Sequence, residues 1–348
     1  MKKLSVWAVV LGVLATAAIL AVPRVPASAP AATPTAAAAS RDARAEFVLT
    51  VLHVNDVHGQ TEPHLDHGKI IGGYSRLSTL LAAARASRDA NLVLLLHAGD
   101  EFSKSDRLTR ATLGAANVQI WNYLRFDAWT PGNGDYYDGT GNLRKRIAEA
   151  NFPTLTANVT VKDDGNCLAQ PYVIRQMGPV KVAIFGLCTV YKENQELSGL
   201  VAADPIETAG KRVPELRKKA DVVIALTHIG YLEDVKLAQS VAGIDLIVGG
   251  HSHTVLNEGQ SVPGPDDKRV LIVQAGWQLE YLGSVELKMQ SAGGRWSVAS
   301  AQAKLTPIDA GVQEDPGVKA MIARLSPAAS KPARPASRPV PVPAGVGK

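Results

Sequence analysis

The sequence of 348 residues predicts an α/β fold in which strands and helices alternate along one large domain. Short apolar runs rich in Val, Ile and Leu recur through the body of the chain, and amphipathic stretches separate them. The composition, 46% hydrophobic and 20% charged, is that of an ordinary globular protein, which excludes a disordered, collagen-like or disulfide-dense chain. Between Val270 and Ala303 only strand patterns occur, so we expect the domain to finish on a β-rich side.

The first half of the body opens with a strand and continues mainly with helices. In order, we predict a strand at Phe47–Val54, a helix at Ser75–Ser87, a buried strand at Asn91–His97, and helices at Leu108–Leu124 and Gly141–Ala150. The two strands are apolar runs that are too short for a helix. The helical segments instead repeat apolar residues every three to four positions, which gives each of them one buried face.

The second half continues the pattern and then loses its helices. We predict strands at Tyr172–Met177, Val180–Leu187, Val222–Thr227 and Ile244–Val248, helices at Thr208–Lys219 and Asp234–Val241, and final strands at Val270–Gln274, Tyr281–Lys288 and Trp296–Ala303. No internal repeat and no internal linker interrupts this order. Residues 41–310 are therefore predicted to form a single domain.

The N-terminal segment, residues 1–40, has the layout of an export signal. Two lysines precede 18 uncharged, mostly apolar residues from Ser5 to Val22, and an Ala/Pro-rich linker follows. Eighteen apolar residues are also enough to cross a bilayer, so the segment is predicted to be either a cleaved signal peptide or an N-terminal anchor. We expect a periplasmic or secreted protein, or one anchored in the inner membrane and facing outward. Contact with a membrane is expected only if the segment stays uncleaved.

The C-terminal segment, residues 311–348, is predicted to contain a terminal helix and a disordered Pro/Ala-rich tail. Six of its last 22 residues are proline, a composition that cannot bury a core. Both ends also carry most of the excess positive charge. The whole chain has a net charge of +5, but residues 41–326 contain 30 basic and 32 acidic side chains. Charge therefore gives no reason to expect a nucleic-acid polymer as partner.

Two cysteines, Cys167 and Cys188, are enough for one disulfide. An exported protein meets conditions in which a disulfide persists, but the sequence leaves two free thiols equally open.

Five polar clusters follow predicted strands, where an open α/β sheet gathers its functional loops. They are Asn55-Asp56-Val57-His58-Gly59, Gly99-Asp100, Gly132-Asn133, Thr227-His228 and Gly249-Gly250-His251-Ser252-His253. Singly, a Gly-Asp or Thr-His pair is common in turns. Asp-x-His and His-x-His are harder to explain by packing, because each places two metal-ligand side chains, a carboxylate and an imidazole or two imidazoles, on one side of an extended segment.

Together these clusters offer carboxylate and amide oxygens and four imidazoles, more than one tetrahedral ion needs. The mixed set suits two neighbouring divalent ions that share a bridging carboxylate, because anionic charge between two cations offsets their repulsion. Oxygen and imidazole ligands admit Mn, Zn, Fe or Co.

The order and spacing of these clusters resemble the metallophosphoesterase (calcineurin-like) domain of the 5′-nucleotidase and 2′,3′-cyclic-nucleotide phosphodiesterase family. The resemblance runs from about residue 47 to about residue 305. Phrases outside the ligand positions also match, namely Gly72-Gly73-Tyr74-Ser75-Arg76-Leu77, Ala150-Asn151-Phe152-Pro153 and Thr156-Ala157-Asn158-Val159. The resemblance implies a four-layer α/β/β/α sandwich that binds two divalent metal ions. It also implies an enzyme that hydrolyses a small anionic phosphate ester or nucleotide.

Carried over position by position, the resemblance implies seven metal ligands. Asp56, His58 and His253 correspond to ligands of the first metal, Asp100 to the bridging carboxylate, and Asn133, His228 and His251 to ligands of the second. Asp100, Asn133 and His228 are also the residues that it places closest to the catalytic chemistry. A water bridging both ions would attack phosphorus in line.

The third motif departs from the family pattern. The family has Gly-Asn-His-Glu followed by an aromatic residue and Asp, and the His and Asp form an acid dyad that assists the departing oxygen. Here Gly134 stands in place of the His and Tyr137 in place of the Asp. Three alternatives remain open: His64 or His67 reaches the site, Tyr136 or Tyr137 donates a proton, or no acid is used.

Larger family members carry a C-terminal domain that stacks on the nucleobase, and this chain is expected to lack it. The leading hypothesis is therefore an exported dinuclear-metal phosphoesterase with weak selectivity for a base. One alternative is a hydrolase of another oxyanion ester, similar to the thiosulfohydrolase of the sulfur-oxidation branch of the family. A metal-binding pseudoenzyme is the other.

Overall fold

A computed structural model describes residues 45–102, 106–163, 165–191 and 199–326. The strands in chain order are β1 (Glu46–Val54), β2 (His64–Asp66), β3 (Lys69–Ile71), β4 (Val93–His97), β5 (Ala128–Trp129), β6 (Val159–Val161), β7 (Tyr172–Met177), β8 (Val180–Cys188), β9 (Leu200–Ala202), β10 (Val222–His228), β11 (Leu246–Val248), β12 (Gln260–Pro263), β13 (Arg269–Val273), β14 (Tyr281–Ala292) and β15 (Arg295–Pro307). The helices are α1 (Tyr74–Ala86), α2 (Arg107–Thr112), α3 (Ala115–Leu124), α4 (Thr140–Glu149), α5 (Pro205–Arg217), α6 (Tyr231–Ser240) and α7 (Pro316–Leu325).

Two sheets form the centre of the molecule. The first has the order β15-β14-β1-β4-β5, in which β1, β4 and β5 are parallel and the last two strands of the chain extend one side in antiparallel fashion. The second has the order β12-β13-β11-β10-β8-β7, with four parallel strands inside and an antiparallel strand at each edge. In α/β sheets of this kind, functional residues usually lie in the loops that follow the carboxyl ends of the parallel strands.

Alternating side chains divide the core into layers. In β1, Leu49 and Val51 face the second sheet and pack in one cluster with Ile224 and Leu226 of β10. The residues between them point the opposite way, as expected from the period of two along a strand. This inter-sheet core consists of aliphatic side chains that are almost entirely excluded from solvent.

Helices cover the outer face of each sheet. Leu77 of α1, Trp121 of α3 and Ile322 of α7 belong to the core on the outside of the first sheet. Val213 of α5 and Leu237 of α6 belong to the core on the outside of the second. The arrangement is helix, sheet, sheet, helix, which confirms the four-layer α/β/β/α sandwich that the resemblance implies.

Most predicted elements are present with ends shifted by a few residues, and one prediction is wrong. The segment Leu108–Leu124 is not a single helix, because α2 ends and α3 begins around Leu113 and Gly114, whose φ angles are 48° and 79°. Gly114 lies against the ring of Phe102, where a Cβ would stand 2.4 Å from Cδ1. The apolar spacing continues through this break, so the sequence pattern does not reveal it.

The predicted signal or anchor in residues 1–40 and the tail from residue 327 lie outside the described residues. The terminal helix is present as α7, and its side chains Val318 and Ile322 are buried. Within the described part of the chain, no helix has both the length and the apolar character to cross a membrane. Cys167 and Cys188 are free thiols, and burial raises the pKa of Cys188 to about 12.

Candidate metal centre

The structure brings all seven predicted ligand residues to the carboxyl ends of parallel strands. Asp56 and His58 follow β1, Asp100 follows β4, Asn133 opens a short 3-10 turn after β5, His228 ends β10, and His251 and His253 follow β11. The first sheet contributes β1, β4 and the short β5, and the second contributes β10 and β11. The site therefore lies where the carboxyl ends of strands from both sheets meet. Backbone hydrogen bonds join these loops, such as the one from Asp56 N–H to Gly99 O at 2.9 Å.

Five of the seven candidate ligands have left-handed backbone conformations. The φ angles are 50° at Asp56, 53° at His58, 55° at Asp100, 79° at His251 and 52° at His253. Residues other than glycine adopt this region rarely, although Asp and His tolerate it better than most. Such strain persists where surrounding contacts determine the backbone, and it concentrates at functional sites. The occurrence of this backbone strain at five candidate ligand residues supports the interpretation of this region as a ligand-binding site.

The first donor group contains Asp56, His58 and His253. The two Nε2 atoms lie 2.8 Å apart, and Oδ1 of Asp56 is 3.9 Å from His58 Nε2 and 3.5 Å from His253 Nε2. The indole of Trp277 stacks on the His253 ring, with centroids 5.2 Å apart and planes inclined by 17°. Trp277 also meets the His58 ring edge-on at 6.3 Å. The indole therefore fixes the orientation of both imidazoles.

The second donor group contains Asp56, Asp100 and His228. Nδ1 of His228 lies 2.7 Å from the carbonyl oxygen of Ala98, which accepts its proton and turns Nε2 toward the carboxylates of Asp56 and Asp100. This Nε2 atom is buried and makes no hydrogen bond to the described residues, although Oδ1 of Asp100 is 3.4 Å away. A buried nitrogen without a hydrogen bond is costly unless something else satisfies it.

Asn133 and His251 form a third contact beside these groups. Oδ1 of Asn133 is 2.7 Å from Nδ1 of His251. The amide group of Asn133 donates from Nδ2 to the hydroxyl of Tyr137 at 2.9 Å. Asn133 thus turns its oxygen toward the site and its nitrogen toward Tyr137.

Electrostatics at the centre favour a bound cation. Burial lowers the pKa of His228, but the carboxylates of Asp100 and Asp56 outweigh it and raise the pKa to about 10. Burial raises the pKa of Asp100, but His228 and the Gly134 N–H outweigh it, so the pKa lies below its usual range. Burial holds the pKa of His58 and His251 below the ordinary value, which keeps these imidazoles neutral. Two buried carboxylates hold a proton on His228 beside the neutral His58 and His251, and a divalent cation bound to these ligands would replace that proton.

The residues present fit the metal ions that the family resemblance implies. In each of the two groups of His and Asp residues, the candidate ligand atoms all lie within 4.8 Å of one another. Asp56 belongs to both groups, whereas Asp100 belongs to the second only. The unsatisfied Nε2 of His228 points to the same conclusion, because an ion there would satisfy it.

Asp135, a residue whose role the sequence did not reveal, joins two of the loops. Its buried carboxylate accepts backbone hydrogen bonds from Asp100 at 2.9 Å, Glu101 at 2.9 Å, Phe102 at 2.7 Å and Gly132 at 2.8 Å. Burial and the nearby Asp100 raise the pKa of Asp135 to about 7. The only sequence signal was its position two residues after Asn133.

A second support lies beneath the His251 and His253 loop. Buried Asp234 accepts a hydrogen bond from the Thr227 hydroxyl at 2.6 Å. Gln274 donates to Gly250 O at 3.1 Å and accepts from the Ser252 hydroxyl at 3.0 Å. These polar contacts fix the loop between the two histidines, and burial raises the pKa of Asp234 to about 7.

Two glycines allow the loops to come together. A Cβ at Gly132 would lie 2.1 Å from Oδ1 of Asp100, and a Cβ at Gly250 would lie 2.4 Å from Ala98 O. Neither backbone has a positive φ. Glycine is therefore needed at both positions because the neighbouring loops leave no room for a Cβ, and not because of the backbone conformation.

The four residues that could replace the acid dyad have different surroundings in the structure. The His67 side chain is 95% exposed at a hairpin turn, and His64 Nε2 lies 3.0 Å from Oε1 of Gln278. Tyr136 is buried, with its hydroxyl 3.5 Å from Sγ of Cys188. Tyr137 is 45% exposed and contacts Asn133. Of these four residues, Tyr137 is the one with a described hydrogen bond to a candidate ligand.

Relatives of this chain are known. A snake venom 5′-nucleotidase of Naja atra is 34% identical over 313 residues, which are 80% of this chain and 57% of the relative. A 5′-nucleotidase of Homo sapiens is 32% identical and covers 79% of this chain and 52% of the relative. The chain thus spans about half the length of these relatives.

Solved structures show the same fold. The crystal structure of a 5′-nucleotidase precursor from Thermus thermophilus superposes with a TM-score of 0.72 at 30% identity, covering 80% of this chain and 58% of that one. The sulfate thiohydrolase SoxB of the same organism has a TM-score of 0.70 at 22% identity, covering 80% and 60%, and this likeness concerns the fold alone.

A family model matches residues 49–255, and its description is calcineurin-like phosphoesterase. That range begins in β1 and ends just after His253, so it includes all seven candidate ligands. From this match, the four-layer fold and the clustered donors, the chain belongs to the calcineurin-like phosphoesterase family.

Proposed function

We propose that the protein is a metal-dependent phosphoester hydrolase with two divalent ions at the candidate metal centre. The observation that carries the proposal is the buried Nε2 of His228, which faces the carboxylates of Asp56 and Asp100 and has no hydrogen bond among the described residues. Asp56, His58 and His253 would hold one ion, and Asn133, His228 and His251 the other. We propose Asp100 as the bridging carboxylate, because its charge interacts with His58 of the first donor group as well as with His228 of the second. Mn, Zn, Fe and Co all suit these ligands.

The residues of the chain have distinct tasks in this reaction. Two ions supply an activated water and stabilise negative charge on the phosphoryl oxygens. Asp56 and Asp100 balance the positive charge, and Asn133 contributes an oxygen without adding charge. The imidazoles are neutral ligands once a cation has displaced the proton of His228. Asp135 holds the backbone of the loops that carry Asp100 and Asn133, and Trp277 packs on His58 and His253, so that little reorganisation is needed during the reaction.

We propose a small anionic phosphate ester or nucleotide as the substrate, in agreement with the names of the relatives. Gly134 supplies no imidazole for the departing oxygen, and Tyr137 occupies the position of its supporting Asp. The contact with Asn133 favours the Tyr137 hydroxyl among the three alternatives for assisting departure. A phenol assists less than an imidazolium, so esters with good leaving groups should react faster than those that release an alkoxide.

The test is an ester panel with the purified protein and Mn²⁺. p-Nitrophenyl phosphate and its bis ester should turn over, while AMP should react slowly. Fast hydrolysis of AMP would contradict the proposed leaving-group dependence. Absence of turnover on any ester, in protein that binds metal, would support a pseudoenzyme instead.

Asp100→Asn provides the matched variant, because it keeps the shape of the side chain and removes its charge. We expect it to abolish hydrolysis of every ester, since the two cations lose the anionic group between them. Glu62→Gln removes one charge from an exposed loop residue and should leave the rate unchanged.

Hydrolysis of a thiosulfonate-type ester is the second candidate. A sulfur-linked leaving group needs little proton donation, which agrees with Gly134, and SoxB shares the fold. Turnover of such an ester without turnover of any phosphate ester would favour this candidate.

We also propose that the protein is exported, with residues 1–40 as signal or anchor, 41–310 as the catalytic domain and 311–348 as helix and tail. The charge and apolar pattern of the N-terminal segment supports this. Mass spectrometry of the mature N-terminus tests it, and an intact Met1 in a cytoplasmic fraction would contradict it.

A further inference from the structure

A cleft lined by basic residues lies far from the candidate metal centre. Two cavities of about 550 and 690 Å³ share Arg217, Asp221 and Trp296 in their walls, so they form one continuous depression. The depression lies beside the start of β10, whereas His228 is at its end. At about 3.3 Å per residue, the strand separates the two places by roughly 20 Å. The cleft is therefore a different surface from the site described above.

The lining of this cleft concentrates positive charge. Seven of its side chains are basic and two are acidic, although residues 41–326 as a whole carry slightly more acid than base. Lys181, Lys218 and Arg295 are exposed there. Their side-chain nitrogens form none of the ion pairs or hydrogen bonds among the described residues. Charges of one sign held this close repel one another and create a strong local potential.

The two acids in the cleft are already engaged. Asp245 pairs with Arg217 and also accepts a hydrogen bond from Val223 N–H at 2.8 Å. Asp221 accepts a hydrogen bond from Lys181 N–H at 2.8 Å. Seven basic side chains against these two carboxylates leave an excess of five positive charges in the lining.

We propose that this cleft binds a linear polyanion made of phosphate groups without bases, of the inorganic polyphosphate type. A chain of charges meets several cations at once and releases counterions as it binds, which makes the affinity cumulative. Arginine matches phosphate geometry, and Arg269 lines one of the two cavities while Arg295 lines the other. The concave shape suits a chain that lies in a groove, while a bilayer would present a flat surface.

The experiment measures binding of inorganic polyphosphate to the purified protein by calorimetry at several salt concentrations. A triple variant with Lys181→Glu, Lys218→Glu and Arg295→Glu should bind at least ~10-fold more weakly at physiological salt. The slope of log affinity against log salt concentration should fall by about 2, because three phosphate contacts are lost.

The matched control is Arg144→Glu with Lys145→Glu and Lys162→Glu, three exposed basic residues outside the cleft. Both triple variants have the same total charge and the same basic termini, so a difference between them reports the position of the charges. Hydrolysis of p-nitrophenyl phosphate should remain at the wild-type rate in both, which checks that they are folded.

Three results would overturn the proposal. The first is an equal affinity for polyphosphate in the two triple variants. The second is loss of binding when EDTA removes metal, because the metal centre would then be the binding site. The third is binding of anionic phospholipid vesicles or single-stranded DNA without binding of polyphosphate, which would identify a bilayer or a nucleic acid as the partner.

Discussion

The residue at position 134 limits the chemistry of the proposed reaction, because a glycine has no side chain that could donate a proton. The Gly134 N–H donates to Oδ1 of Asp100 at 2.7 Å, and a Cβ at this position would lie 3.1 Å from the same oxygen. The turn is therefore packed tightly against the carboxylate and offers no side chain to the departing oxygen. Three residues later, the Tyr137 hydroxyl is held by Asn133. The proposed selectivity for good leaving groups follows from these two positions.

Tyr137→Phe tests the role of the hydroxyl. If it assists the departing oxygen, kcat for AMP should fall by ~10²-fold, while kcat for p-nitrophenyl phosphate should change by less than ~3-fold. The loss should increase with the basicity of the leaving group across a series of esters. Tyr191→Phe is the control, since Tyr191 is similarly exposed and its ring lies 6.3 Å from that of His251. A uniform loss for all esters, or none, would show that the hydroxyl does not assist departure.

At the scale of elements, the ends of strands determine where the centre forms. Gly132 belongs to the loop after β5 and packs directly on the Asp100 loop after β4. Asp135 joins the same two loops by accepting backbone hydrogen bonds from both. The distance between the loops is thus fixed by one small residue and one buried carboxylate.

Gly132→Ala should displace Asp100 and weaken metal binding. The added Cβ would overlap Oδ1 of Asp100, and either the side chain or the loop must move. Metal content measured by mass spectrometry should fall, while the circular dichroism spectrum should stay that of the wild type. Gly141→Ala is the matched control, because a Cβ there has no neighbour within 4 Å. Full metal content in Gly132→Ala would show that the close approach does not matter.

The pattern of apolar runs predicts where most of the candidate ligands lie in the fold, because these residues follow runs that form parallel strands. Asn133 is the exception, since β5 before it is too short to give a strand signal. Asp56, Asp100 and His228 could be placed at one end of the sheets from that pattern alone. The left-handed backbone of the ligand residues could not, because several residue types tolerate it and local sequence does not specify it. The sequence pattern does not predict the roles of Asp135 and Trp277, because these roles depend on contacts between loops that are distant in sequence.

The sequence predicts secondary structure less accurately in two places: where a strand has only two residues, and where the apolar spacing continues across a break between two helices. Ala128–Trp129 is too short to give a strand signal, and its residues are fixed by pairing with β4. The spacing of apolar residues runs across Leu113 and Gly114, so two helices were predicted as one. In both cases tertiary contacts decide the local structure.

For the whole molecule, buried carboxyl groups make stability depend on pH. Burial raises the pKa of Asp234 from 3.8 to about 7 and that of Glu101 from 4.5 to about 8. The folded protein therefore holds these protons more tightly than the unfolded chain does. The free energy of unfolding should fall as pH rises from about 4, and the decline due to Asp234 should end near pH 7.

Asp234→Asn should remove part of this decline in metal-free protein. Between pH 5 and pH 7 the wild type should lose roughly 2–3 kcal/mol of stability through Asp234, and the variant should lose less by a similar amount. Urea unfolding at the two pH values measures the difference. Asp163→Asn, a change at an exposed residue, should leave the decline unaltered. The same decline in wild type and Asp234→Asn would show that Asp234 is not protonated in the folded state.

The most direct test of a dinuclear phosphoesterase is a metal titration followed by turnover. Protein stripped with chelator receives increasing Mn²⁺, and bound metal and hydrolysis of p-nitrophenyl phosphate are measured in the same samples. We predict no turnover without metal and a rate that rises until about two ions are bound per chain. Two bound ions with no turnover of any phosphate ester, or full activity in the chelated protein, would contradict the proposed function.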